Sequence, residues 1–123
     1  MTMQSVGVTA PAPSRRHQRV RTELLALHRA LIAEERRDYE LLHGQVGAGG
    51  FLHALVNEAE LQWLAPYTSV LAELDQDELP EDWDGLRGQL RQLLRVDGRY
   101  GDLFERSPDV AYAHAATLFA LRG

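Results

Sequence analysis

The feature that most constrains this chain is an unbroken helical period between residues 15 and 43. Val20, Leu24, Leu27, Leu31, Asp38 and Leu42 recur at about 100° per residue and so share one face. Neither glycine nor proline interrupts the run. The pattern predicts one long helix with Ser14 as its N-cap and Gly44 as its terminator. Residues 1–14 are small, polar and proline-containing, and are expected to form a flexible arm ahead of a single domain spanning 15–123.

The rest of the chain also reads as helix. A second helix is expected to begin near Gly50 with "FLHALV". Asn57 then looks like a fresh N-cap, with Glu60 completing a capping box and Val56 and Leu61 forming a hydrophobic staple. The helix that follows is expected to run to about Asp75, kinked or split by Pro66, which has no N–H to donate. "DQDELPED" reads as an acidic loop. Trp83, Leu86, Leu90, Leu93 and Leu94 mark a helix from about Pro80 to Val96, and a short one follows around Arg99 to Arg106. "SPD" at 107–109 starts the last helix, with Ser107 as N-cap and Pro108 at the first helical position. No segment alternates apolar and polar residues long enough to be a strand. The fold class is therefore all-α: a single-domain bundle of five to six helices with a Pro66 kink and a glycine-rich helix–helix loop.

The segments "LHRALIAEERRDYELLHG", "FLHALVNEAELQWLAPYTSVLAELD" and "PDVAYAHAA" resemble small, all-helical, uncharacterised bacterial proteins. The resemblance covers most of residues 20–121. It implies the same fold and a cytoplasmic setting, and it brings no assigned activity.

Composition narrows the chemistry. With no cysteine there is no disulfide framework, thiolate nucleophile or cysteine-ligated metal. The start of the chain has no basic and apolar pattern of a signal peptide, and no apolar run is long enough to span a membrane. A cytoplasmic protein is expected. All 13 basic residues are arginine, and they are unevenly placed. Residues 15–37 hold seven arginines against three glutamates, whereas residues 58–84 hold nine acids and no arginine. The basic segment has no aromatic residues, so nucleic acid is not the expected partner. Docking on the acidic middle, within one chain or between two, fits the same charge pattern.

"GQVGAGG", residues 44–50, invites comparison with phosphate-binding loops. Its GxxGxGG spacing matches neither GxGxxG nor GxxxxGK, a helix rather than a strand precedes it, and the chain has no lysine. A hinge between antiparallel helices is expected there, with no nucleotide and no other cofactor. "ELLH", 40–43, has the Glu-x-x-His spacing of di-iron bundles, but Glu40 lies about 180° and His43 about 120° from Leu31, off the buried stripe. Asn57 and its neighbours also lack the small and basic residues a phospho-accepting histidine helix carries beside His53.

The candidate site lies closer to the stripe. Glu35 falls about 40°, Asp38 about 20° and His28 about 60° from Leu31. His114 sits mid-stripe in the last helix, and His53 lies in the second. His28, Glu35, Asp38, His53 and His114 are therefore the candidate polar or metal cluster. Two readings stay open: a metal site or acid–base pair, or a plain structural arrangement, either a satisfied buried network with partners that include arginine or a bundle end opening to solvent. The last helix is apolar on two sides, and Tyr112, Ala116 and Phe119 form a candidate interface. The leading expectation is a bundle acting through protein contacts as a homodimer or with another protein. The alternative is a metal- or small-molecule-binding enzyme built on the His/carboxylate set, whose catalytic residues the sequence does not identify.

Overall fold

The computed structural model describes residues 15–122. The Ser14 cap and the arm at 1–14 lie outside the described residues. Those that are described form six α-helices and one 3-10 turn, with no strand among them. The helices are α1 (Arg16–His43), α2 (Gly47–Asn57), α3 (Ala65–Leu74), α4 (Trp83–Leu93), α5 (Gly98–Arg106) and α6 (Pro108–Arg122), and the 3-10 turn (Ala59–Leu64) joins α2 to α3.

α1 sets the scale of the bundle. Its 28 residues extend about 42 Å at 1.5 Å per residue, longer than a small domain is wide. The other elements line up along it. Val20, Leu24, Leu27 and Leu31 are fully buried and meet Val70 and Leu74 of α3, Leu86 and Leu90 of α4, Leu103 of α5, and Val110 and Leu121 of α6 in one core. α6 lies alongside α1, α5 packs on α6, and α3 lies between α1 and α4. Burial of Val110, Ala113, His114, Thr117, Ala120 and Leu121 traces the core face of α6 at helical spacing. Ser107 caps this helix, its Oγ accepting from the Val110 N–H at 3.2 Å, and Asp82 caps α4 in the same way through the Gly85 N–H.

α1 ends at Gly44, whose φ of 86° suits glycine and turns the chain. The turn is tighter than the sequence suggests. α2 begins at Gly47 rather than near Gly50, so the last glycines are helical and only 44–46 connect the two helices. Glu40 closes this turn by accepting from Arg36 Nε at 3.1 Å and the Val46 N–H at 3.3 Å. α2 folds back on α1 through a small second core of Phe51, Ala54 and Leu61, with Tyr39 edge-on to Phe51.

The break after α2 falls where expected, but its chemistry differs. Asn57 is the last residue of α2, and its amide donates back to the His53 carbonyl at 2.9 Å. It caps nothing that follows. Val56 is exposed, so there is no staple. Gln62 covers the break instead: its Nε2 donates to the carbonyls of Leu55, Val56 and Glu58 at 2.9, 3.2 and 3.2 Å. The Leu55 and Val56 carbonyls lie at the helix end, where the chain leaves the helix at Glu58 and an amide six or seven residues on can reach back to them, while the Glu58 carbonyl also accepts from the Leu61 N–H at 3.1 Å. Pro66 splits rather than kinks its segment. It sits in the first turn of α3, where a missing N–H costs nothing.

Two glycines at the start of α2 should respond oppositely to alanine. Gly47 has φ of 74°, so Gly47→Ala should destabilise by about 1–2 kcal/mol, the cost of a left-handed L-residue. Gly49 is helical and has open space around the position of a Cβ, so Gly49→Ala should stabilise by about 0.5–1 kcal/mol. Urea unfolding of both variants checks the signs, and a shared sign would refute this account of the turn.

Candidate functional site

The polar groups of α1 and α5 meet at one end of the bundle. Glu34, Glu35 and Asp38 lie within one turn of α1, and Arg99 and Arg106 stand seven residues apart on α5, so both sets face one another as stripes. Glu35 is 4% exposed. Arg99 grips it with two hydrogen bonds, Nε to Oε2 at 3.2 Å and Nη2 to Oε1 at 2.6 Å. Trp63 Nε1, from the 3-10 turn, donates to Oε2 at 2.7 Å. Arg99 Nη2 also donates to Asp38. Arg106 continues the network, 2.9 Å from Asp38 and donating through Nε to Glu34 Oε1 at 3.0 Å.

Electrostatics favour the ionised form of Asp38. Burial pushes the Asp38 carboxyl up, but hydrogen bonds and charge from Arg99 and Arg106 outweigh it and hold its pKa below the usual carboxylate value. The Arg99 guanidinium is held further above its ordinary value, chiefly by its hydrogen bond to Glu35. Both Glu35 oxygens are occupied by donors, so this carboxylate is a structural acceptor rather than a free base.

Of the five candidate residues, only Glu35 and Asp38 come together. His28 is half-buried and pairs its Nε2 with Thr68 Oγ1 at 3.2 Å on the α3 side, where burial lowers its pKa. His53 is exposed on α2, against the Asn57 amide. His114 is buried beneath Phe104, with Nδ1 2.6 Å from the Tyr100 hydroxyl, and burial lowers its pKa too. The expectation that the histidines would join the carboxylates is corrected: each has its own neighbour on a different element. Among the described residues no group of three or more His, Asp or Glu side chains is placed to hold a metal ion.

The residues missed by sequence reasoning are Arg99, Arg106, Glu34 and Trp63. Two arginines one heptad apart on a nine-residue helix were the available signal. They present two cations on one face and require acids opposite. The basic start of α1 does meet acidic chain, through the 3.4 Å Arg21–Asp75 pair and the His17 ring against the Gln76 carbonyl at 2.7 Å.

Beside the network lies an open cleft of about 400 Å³. Tyr39, Leu42, Leu61 and Trp63 supply apolar walls, Glu35, Asp38 and Arg99 one end, and Glu60 its remaining acidic group. Elsewhere the surface carries large apolar side chains: Tyr112 and Phe119 on α6, Leu41 at the end of α1 beside the cleft's own exposed Leu42, and Leu52 and Val56 on α2. No family model matches the chain, and comparisons with curated proteins and with solved structures returned no match. No helix among the described residues is long and apolar enough to cross a membrane.

Removing Arg99 should be worse than removing the whole pair. Arg99→Met strands the Glu35 carboxylate and should cost about 3 kcal/mol, the low end for a broken buried pair because Arg99 is itself partly in solvent. The double variant Arg99→Met, Glu35→Leu should recover much of that loss. Asp38 adds a pH signature. Its folded pKa lies below the unfolded 3.8, so its contribution is present above that value and is lost as pH falls through the folded one. The gap between wild type and Arg99→Met should thus shrink below about pH 4. Denaturant melts across pH check both statements; a double variant less stable than the single would overturn the pairing argument.

Proposed function

We propose that the protein works through protein contacts, as a helical bundle that pairs with a second copy through the outer face of α6. The observation that carries this reading is the exposure of Tyr112 at 79% and Phe119 at 68% on a helix whose opposite face is built into the core. Large aromatics on a rigid helix are the side chains that interfaces favour, and α6 holds them on one stripe with only small alanines between. The exposed leucines near Gly44 are a poorer candidate, because they straddle the end of α1 and a separate hairpin helix. The acids and arginines at the other candidate site are already engaged with one another, which supports a structural role for them. A cytoplasmic setting and a place among small, all-helical bacterial proteins are part of the same proposal.

Light scattering and sedimentation at about 50 μM test it. Wild type should be a dimer, while Tyr112→Asp and Phe119→Asp should be monomers with unchanged helix content. A monomeric wild type would overturn self-pairing and leave another protein as the partner to seek.

The cleft supports a second reading, binding of a small molecule, because Trp63 and Tyr39 give it aromatic walls beside the carboxylate of Glu60. An apolar amine is the complementary ligand, with its cation over an indole or beside a carboxylate. Phenylethylamine should change Trp63 emission in a Trp83→Phe background, and Glu60→Gln should weaken the effect. Equal binding of phenylacetate would overturn it.

A further inference from the structure

The α6 stripe has an internal symmetry that fixes how two copies would meet. Tyr112 and Phe119 lie at equal distances from a point between Ala115 and Ala116, and Asp109 and Arg122 lie at equal distances from that same point. Residues 112, 115, 119 and 122 follow a 3,4 spacing, which keeps them on one side of a helix. All four, with Asp109, belong to the solvent side of α6, whereas its core side carries Val110, Ala113, His114, Thr117, Ala120 and Leu121.

Resting on the reading that copies meet through α6, we propose that the partner of this face is a second copy of the chain, with the two α6 helices antiparallel about a two-fold axis at Ala115 and Ala116. A closed pair requires a self-complementary patch. In the antiparallel arrangement Tyr112 of each copy faces the other's Phe119. The small alanines sit at the crossing, where they let the backbones approach. Charge then selects the direction. Antiparallel helices bring each Asp109 to the end of the stripe that carries Arg122 in the other copy. Parallel helices would stack acid on acid and arginine on arginine. Neither Asp109 nor Arg122 has an ion-pair partner among the described residues, so both are available for this role.

A charge-swap series tests the direction separately from the existence of the dimer. Asp109→Arg and Arg122→Asp should each weaken dimerisation about tenfold, since each replaces two opposite-sign neighbours with two like-sign ones. The double variant restores opposite signs and should return the dissociation constant to within about threefold of wild type. Sedimentation equilibrium reads the constants, and circular dichroism on the same samples reports any loss of helix at the ends of α6. Single swaps that leave a dimeric protein's constant unchanged would overturn the antiparallel pairing while leaving the α6 contact standing. Phe119→Asp that leaves the dimer intact would instead overturn the reading that copies meet through α6.

Discussion

The grip of Arg99 on Glu35 is the interaction on which this end of the molecule depends. It joins α1 to α5, and the Trp63 indole brings the 3-10 turn to the same carboxylate. Three elements distant in sequence are thus oriented by one side chain that water barely reaches. A carboxylate in that position carries a desolvation cost of several kcal/mol, repaid only while its donors stay in place. The pair is therefore a specification of register more than a source of stability. A slide of α5 along α1 by one turn would leave the buried Glu35 without its arginine.

The same pair explains why the site looks like chemistry from the sequence and unlike it in the structure. Acids on an apolar stripe must have partners, and histidine was only one residue type that could supply them. The guanidinium wins because its fork meets both carboxylate oxygens at once and still reaches Asp38. The histidines settle where single partners suffice: Thr68 for His28 and Tyr100 for His114.

The bundle itself was largely legible. Helical periodicity located α1, α4 and α6 because their apolar residues are numerous and regularly spaced, and "SPD" marked the start of α6 because a cap is a local event. What was illegible depended on residues not adjacent in the chain. Asn57 has the identity of an N-cap, yet its backbone is still helical, so its amide turns back to His53 and Gln62 covers the exposed carbonyls. The glycines after Gly47 are helical because the turn was already complete by Val46, held by Glu40. The partnering of α1 with α5 could not be read at all, since nothing in the period of either helix says which other helix it will face.

α6 joins the core to the exposed surface. Its inner face is fixed by the core that α1 demands, and Thr117 shows how complete that fit is: fully buried, with its hydroxyl returned to the Ala113 carbonyl at 2.7 Å. A helix so held cannot rotate to hide Tyr112 and Phe119 without exposing Val110 and Leu121. Its outer aromatics are therefore kept in water by the stability of the inner face. Leaving them there forgoes roughly 25 cal/mol for each Å² of apolar surface that a second surface would cover. The outer stripe thus leaves apolar surface uncovered, whereas the polar groups at the other end of the bundle are already engaged with one another.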